Sequence, residues 1–156
     1  MAFALAFIDD WEPTRRDTVL RVLAALQAQP DVAMPTGSVN LKLVDDTEIA
    51  ALNEQYTGNA YATDVLTFNY RETEPHSDIP EGELADIAIS YPAAARQATE
   101  AGIALEAEIA TLVLHGLLHV LGYDHQTAAE RRTLQELQDR ILDSADLPKQ
   151  EYTWDE

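Results

Sequence analysis

Three histidines cluster in and just after the longest apolar-rich run of this chain. His115 and His119 are four residues apart, and on an α-helix that spacing places two side chains on one face, one turn apart. Gly122 predicts the end of the helix, because glycine adopts the left-handed backbone conformation without strain. The chain can then reverse and bring His125 back toward the other two imidazoles. The spacing therefore predicts a buried central helix and turn on which three histidines converge.

Three protein ligands with one open coordination position are typical of catalytic zinc, whereas structural zinc usually has four ligands, most of them cysteine. The sequence contains no cysteine. A histidine pair at this spacing can also be a hydrogen-bonded feature of a core, which is the alternative to a metal site. Burial leaves imidazole nitrogens that need a partner, and a metal ion satisfies them well. We therefore predict that His115, His119 and His125 bind one Zn²⁺ ion per chain.

Length, charge and cysteine content limit the class of protein. A chain of 156 residues fits one domain, so we expect residues 1–156 to form a single domain. The net charge of −18 weighs against a general nucleic-acid binder and against DNA as a partner. The absence of cysteine and of a signal-peptide pattern favours the cytoplasm. Two glutamates and two histidines interrupt the apolar run 103–122, which indicates a core helix and no membrane role.

Hydrophobic periodicity divides the chain into alternating strands and helices. We predict strands at 3–8, 38–44, 63–70 and 83–90, and helices at 9–27, 45–55, 91–101, 103–122 and 126–145. These elements predict a single-domain α/β (α+β) fold, with about four strands in one mixed sheet and four or five helices packed against it. The remaining residues, 146–156, are expected to form a flexible acidic tail.

Two local patterns complete the predicted chain path. Asp45 is placed to cap the helix that follows it, and Glu48 is placed three residues later to complete a capping box. The segment 71–82 contains two prolines, one glycine and four acids, which predicts a surface loop. His76 lies in this loop, apart from the other histidines, and is expected to be exposed to solvent.

The histidine spacing matches the helix-and-turn pattern of zincin metallopeptidases except at Gly116. In that pattern the residue after the first histidine is a glutamate that acts as general base. Glycine has no side chain to accept a proton, so a peptidase is the weakest of the functions considered. Zinc alone lowers the pKa of bound water to about 7, so hydrolysis of other bonds remains available.

Asp124 is the carboxylate nearest to the histidines in sequence, and three roles are open to it. It can orient a ligand imidazole through the ring nitrogen that does not bind metal, which is the role we favour. It can instead act as the proton acceptor that Gly116 does not provide. The third role is structural, as a cap in the turn beside Gly122.

The segment 115–125 resembles the His-Gly-x-Leu-His-x-x-Gly-Tyr-Asp-His signature of the YbeY family. Three further blocks, 52–58, 63–68 and 84–90, resemble the other blocks of that family in order and spacing. The resemblance covers most of residues 38–142. It implies a single-domain α/β metalloprotein with a zincin-like central helix, in which the three histidines hold one zinc ion.

The same resemblance implies a single-strand-specific endoribonuclease that matures the 3′ end of small-subunit ribosomal RNA and acts in ribosome quality control. The implied partners are ribosomal RNA, the small ribosomal subunit and ribosome-assembly proteins, with no DNA and no membrane. The alternative from a different class is a ribosome assembly factor that binds zinc and has little or no catalytic activity. A metallopeptidase is the third choice.

The sequence departs from the family pattern at four positions. Family members commonly have arginine, lysine, proline and glycine where this chain has Thr57, Asn59, Ala62 and Ala85. The arginine is expected to contact phosphate, and its loss at Thr57 removes a charge-assisted contact to a phosphodiester. We hypothesise that Lys42 or Arg71 supplies the missing positive charge.

Overall fold

The computed structural model describes residues 3–70 and 82–150. In chain order its elements are β1 (Phe3–Phe7), α1 (Pro13–Gln27), β2 (Gly37–Val44), α2 (Asp46–Thr57), β3 (Val65–Asn69), β4 (Glu83–Ser90), α3 (Tyr91–Ala101), α4 (Leu105–Val120) and α5 (Ala128–Ser144). The described residues thus form one four-stranded sheet with five helices, which confirms the predicted α/β class. The expected loop falls almost entirely at 71–81, outside the described residues, and His76 lies there too.

The sheet has the strand order β1-β2-β4-β3. β1, β2 and β4 run parallel to one another, and β3 pairs antiparallel with β4 at the edge of the sheet. This mixed direction follows from the connections, because parallel neighbours need a crossover while β3 and β4 are consecutive strands. The register pairs Ile87 of β4 with Leu41 of β2 on one side and with Thr67 of β3 on the other. Ile87 therefore lies in the middle of the sheet.

The helix α4 is the most deeply buried element. It packs against β3 and β4 of the sheet and against α1 and α3. Its fully buried large side chains are Ile109, Leu112, Leu114, Leu117 and Leu118. α4 is thus the expected central helix.

Within the described ranges no single helix has the length and apolar composition to span a membrane, although α3 and α4, bent by 116° at their junction, pass that test as a pair.

Gly116 allows α4 to approach the sheet closely. A Cβ atom at this position would lie 2.7 Å from Ile87 Cδ1, 3.0 Å from Ile87 Cγ2 and 3.0 Å from Thr67 Oγ1. Such distances are shorter than packed side chains tolerate, so a larger residue here would push the helix away from β3 and β4. The close packing of α4 against β3 and β4 therefore requires glycine at position 116, the position that also lacks a catalytic side chain.

The end of α4 has the geometry expected from Gly122. This glycine has φ +96, and its N–H donates to the carbonyl of His119 at 3.0 Å. The N–H of Tyr123 donates to the carbonyl of Leu118 at 3.1 Å, so the two bonds form a Schellman motif. This motif reverses the chain directly after His119 and directs the next residues back over the helix.

The predicted capping box of α2 forms only in part. The Asp45 carboxylate accepts a hydrogen bond from the N–H of Glu48 at 2.8 Å, as expected. The Glu48 carboxylate instead pairs with Lys42 Nζ at 2.9 Å. Among the described residues a complete capping box forms at Thr127 and Glu130 of α5. The ammonium group of Lys42 on β2 thus takes the place of the backbone N–H that a complete capping box would offer to Glu48.

Residues 146–150, at the start of the tail that the sequence predicts to be flexible, pack against the helices. Leu147 contacts the hydrophobic core. The carbonyl of Gln150 accepts hydrogen bonds from Gln135 at 2.9 Å and from Gln138 at 3.0 Å. Hydrogen bonds to side chains of α5 thus hold this segment against the helix, which composition alone does not reveal. Residues 151–156 lie outside the described residues.

We predict that Gly116→Ala lowers the free energy of unfolding by about 1–3 kcal/mol, because its Cβ overlaps Ile87 and Thr67. Helix propensity alone predicts the opposite sign, a gain of about 1 kcal/mol for alanine over glycine. Urea denaturation of the two proteins measures the difference. The double variant Gly116→Ala/Ile87→Val is the matched control, since Ile87→Val removes the nearest atom and should recover part of the loss. An unchanged or higher stability of Gly116→Ala would contradict the close approach.

Candidate metal centre and catalytic cleft

A cavity of about 550 Å³ opens where the C-terminal half of α4 meets α2 and β3. All three predicted metal ligands line it. The residues around it are Asn53, Thr57, Asn59, Tyr61, Thr63, Asp64, Val65, Leu66, Thr67, His115, Gly116, His119, Tyr123 and His125. The fold therefore brings together the histidines that the sequence placed on one helix face and the following turn.

His115 lies at the inner end of the cavity and contacts α5. Its Nε2 atom is 2.6 Å from Oε1 of Gln138. Burial lowers the pKa of His115 to about 4, although the bond to Gln138 and the negative charge of Asp64 act in the opposite direction. His115 is therefore a neutral imidazole at pH 7. Neutrality is the state that a metal ligand requires.

The other two histidines lie nearer to solvent. His119 is exposed, one helical turn beyond His115, and His125 is half-buried in the turn that follows α4. Two contacts fix the backbone of His125. Its carbonyl accepts a hydrogen bond from Arg131 Nε at 3.0 Å, and its N–H donates to Asp124 Oδ1 at 2.8 Å. The turn thus holds the backbone of the third histidine at the cavity.

The donor chemistry of this cavity fits a zinc ion. Three imidazoles and no thiol line it, and zinc with histidine ligands and an open position is the usual catalytic arrangement. In the part of the chain that the structure describes, no three His, Asp or Glu side chains are arranged closely enough to enclose an ion. The Nε2 atom of His115 is directed at Gln138. The fold thus assembles the donors, while the side chains shown do not form a closed coordination shell.

Asp124 makes a structural contact in the turn. Its Oδ1 accepts from the N–H of His125 at 2.8 Å and lies 3.5 Å from the side-chain nitrogen of Gln126. Asp124 is not among the residues that line the cavity. Of the three roles considered for it, the structure shows the contact that caps the turn.

Asp64 is the carboxylate that lines the cavity, and sequence reasoning gave it no role. Its carbonyl accepts from the N–H of Ser90 at 2.8 Å, and its Oδ2 accepts from Gln97 Nε2 at 3.1 Å. Its negative charge opposes, to a minor extent, the lowering of the His115 pKa by burial. The sequence places Asp64 just before β3, but the position of Asp64 beside α4 depends on tertiary packing, which a local sequence pattern does not show.

The positive charge expected in the cleft does not come from Lys42. Lys42 pairs with Glu48 and lines a second cavity, of about 360 Å³. Arg71 lies outside the described residues. Thr57 does line the histidine cavity, and its hydroxyl donates within α2 to Asn53 at 2.8 Å. Among the described residues, no lysine or arginine lines the histidine cavity.

The fold is similar to that of the solution structure of TM1509 from Thermotoga maritima. The two chains superimpose with a TM-score of 0.53 over 89% of each chain, at 22% sequence identity. This likeness shows the fold alone.

Sequence comparison shows the family. Proteins named endoribonuclease YbeY match this chain from Moorella thermoacetica, with 46% identity over 130 residues that cover 80% of this chain and 83% of the relative. The Rhodopseudomonas palustris protein of the same name is 35% identical over 147 residues, covering 90% and 75%. The sequence model of endoribonuclease YbeY matches residues 9–146. The chain therefore belongs to the YbeY family of endoribonucleases, enzymes that hydrolyse phosphodiester bonds within RNA.

Proposed function

We propose that this protein is a zinc-dependent, single-strand-specific endoribonuclease that matures the 3′ end of small-subunit ribosomal RNA and acts in ribosome quality control. The observation that carries the proposal is the convergence of His115, His119 and His125 on one cavity in a chain of an endoribonuclease family. Its partners are ribosomal RNA, the small ribosomal subunit and ribosome-assembly proteins. Because these assemble in the cytoplasm, the proposed location is cytoplasmic.

The three histidines would hold one zinc ion, which supplies a Lewis acid that acidifies water and polarises a phosphodiester. Asp64 accepts the proton from the attacking water, because it is the carboxylate on the cavity wall. A glutamate at position 116 could not act as the base instead of Asp64, since any Cβ there meets Ile87 and Thr67. The base of this enzyme thus comes from the start of β3 and not from the metal helix.

The size of the cavity supports a single-stranded substrate. A volume of about 550 Å³ holds roughly one nucleotide. A phosphodiester can enter the cavity and reach the histidines only if its strand is unpaired, as in loops and single-stranded ends of RNA. The absence of lysine and arginine from the described cavity lining also supports a substrate presented by a larger particle. Partner proteins then supply the positive charge that holds the RNA.

Thr57 favours the second candidate function, a zinc-binding ribosome assembly factor with weak or no cleavage activity. It lies on the cavity wall without the guanidinium that would stabilise a phosphodiester transition state. The peptidase alternative requires a glutamate at position 116, and the packing of Gly116 against the sheet opposes it.

We predict that His119→Ala loses zinc and RNA cleavage together. Removing one of three ligands leaves too few donors to hold the ion, so activity should fall by at least about a hundredfold. Zinc content is measured by plasma emission spectrometry and cleavage with a single-stranded ribosomal RNA precursor. His76→Ala is the matched control, because it removes a histidine outside the motif and should change neither quantity. Full zinc content in His119→Ala would contradict the ligand assignment.

We predict that Asp64→Asn keeps zinc and loses cleavage by about 10²–10⁴-fold, the range of general-base contributions. Asparagine retains the shape and the bond from Gln97 but is not a proton acceptor at pH 7. Single-turnover cleavage by the zinc-loaded variant tests this. Asp124→Asn is the comparison, since its contact lies in the turn, and it should lose less activity. Equal losses of cleavage rate in Asp64→Asn and Asp124→Asn would contradict the assignment of Asp64 as the general base.

We predict that Thr57→Arg raises RNA cleavage about tenfold or more, because a guanidinium on the cavity wall contacts the phosphodiester. Thr57→Gln is the control for side-chain length without charge. Rates with single-stranded RNA, compared at two salt concentrations, measure the effect, and the gain should diminish at high salt. A lower rate in Thr57→Arg would indicate that the cleft does not need this charge.

A further inference from the structure

The strand β3 borders the histidine cavity along its edge. Val65, Leu66 and Thr67 are consecutive residues, and all three line the cavity. The side chains of successive strand residues point to opposite faces of a sheet. Thr67 accordingly lies against Gly116 of α4, whereas Leu66 packs on the other face with the cluster that contains Ile49. Residues that alternate in this way share one surface only at the edge of the strand, so the cavity runs along the edge of β3.

The pairing of β3 with β4 determines which backbone groups point to this edge. The N–H of Ser90 donates to the carbonyl of Asp64 at 2.8 Å, and these two residues lie directly opposite each other in the register of the two strands. Hydrogen-bonded and non-hydrogen-bonded residue pairs alternate along an antiparallel ladder. Leu66 therefore bonds to β4 as Asp64 does, whereas the N–H and C=O groups of Val65 and Thr67 point away from β4.

The outer side of β3 has no neighbouring strand within residues 3–70 and 82–150, because β3 is the last strand in the order β1-β2-β4-β3. A long contact lies there, from Thr63 Oγ1 to the carbonyl of Val65 at 3.5 Å. Among the described residues the N–H groups of Val65 and Thr67 donate to no acceptor. Being two strand residues apart, these donors are separated by about 7 Å.

The outward N–H groups supply hydrogen-bond donors to a cavity that lacks cationic ones. No lysine or arginine lines the cavity in the described part of the chain, and Asp64 adds a negative charge. Backbone N–H groups bind phosphate oxygens in many nucleic-acid complexes, and the edge of a sheet can form an anion-binding surface. Donors on a rigid strand are also already oriented before the ligand arrives. The edge of β3 therefore suits a phosphodiester chain that lies along the cavity.

We propose that the outer edge of β3 is a substrate subsite, in which the N–H groups of Val65 and Thr67 donate to phosphate oxygens of single-stranded RNA. The proposal rests on the proposed function, because it describes how the same cavity holds its substrate. Two donors on one strand fix the direction in which the RNA passes the histidines. An extended peptide is the other ligand that a sheet edge can bind. The endoribonuclease family and the glycine at position 116 favour RNA over a peptide.

The first experiment observes the two donors directly in the zinc-loaded, full-length protein. Proton–nitrogen correlation NMR follows each backbone amide while a short oligouridine is added, and an excess of oligouridine keeps the cavity occupied. We expect the amide protons of Val65 and Thr67 to shift to higher frequency and to exchange more slowly with deuterated solvent. The amides of Leu66 and Phe68, which bond to β4, should change less. Saturation with oligouridine that leaves Val65 and Thr67 unchanged would overturn the proposal, as would protection by an extended peptide but not by RNA.

The second experiment removes one donor and keeps the side chain. An α-hydroxy acid with the valine side chain, incorporated at Val65, replaces the backbone N–H by an ester oxygen. RNA affinity, measured by fluorescence anisotropy, should fall by about 10–100-fold, the usual effect of losing a hydrogen bond to a charged group. The loss should be smaller at high salt for no variant, since the removed group carries no net charge. Unchanged affinity would overturn the proposal.

The matched control makes the same replacement at Leu5, on the opposite edge of the sheet. The N–H of Ile8 donates to the carbonyl of Leu41 at 2.9 Å, so alternate residues of β1, including Leu5, point away from β2. This variant should bind RNA as the wild type does, and an equal loss at Leu5 and Val65 would overturn the proposal. The NMR experiment uses the wild-type chain and decides the question if an ester variant does not fold.

Failure of this inference differs from failure of the proposed function. Wild-type protein that cleaves single-stranded RNA while the Val65 and Thr67 amides stay unchanged would overturn the subsite alone. Wild-type protein that protects these amides on RNA binding but cleaves no RNA would contradict the proposed nuclease and support the subsite.

Discussion

The close contact between α4 and the sheet at Gly116 determines the rest of the site. Because position 116 has no Cβ, the helix can lie against Ile87 and Thr67, and this places His115 and His119 over the cavity beside β3. The same contact excludes the glutamate that metallopeptidases carry at the equivalent position. A single packing constraint thus supports the geometry of the histidines and limits the chemistry that they can perform.

Burial then sets the properties of the innermost histidine. His115 lies where its charged form is unfavourable, and its pKa of about 4 keeps it neutral throughout the physiological range. Gln138 provides a hydrogen-bond partner for this imidazole, and the carbonyl of Gln150 accepts a hydrogen bond from the other end of the Gln138 amide. Among the described residues the lining of the site contains the carboxylate of Asp64 and no lysine or arginine, so the proposed zinc ion would be the main positive charge offered to RNA.

Local sequence patterns predicted the structural features that are fixed by interactions within a few residues of the chain. The helix end at Gly122, the cap at Asp45 and the return of the chain after His119 all depend on backbone preferences within a few residues. The contact from Gln138 to His115 joins positions 23 residues apart on two helices and leaves no periodic signal. The position of Asp64 on the cavity wall depends in the same way on how β3 packs beside α4. The packing of residues 146–150 was not predicted, because it depends on hydrogen bonds from side chains of α5 that lie 12 and 15 residues earlier in the chain.

X-ray absorption spectroscopy of the zinc-loaded protein tests the central claim most directly, since it counts the atoms around the metal. The account predicts three imidazole nitrogens at about 2.0–2.1 Å, no sulfur, and at least one further light-atom ligand from solvent. His125→Ala should show one imidazole fewer. Fewer than three imidazoles in the wild-type protein, or a shell closed by four protein ligands, would contradict the claim that His115, His119 and His125 form a catalytic metal centre.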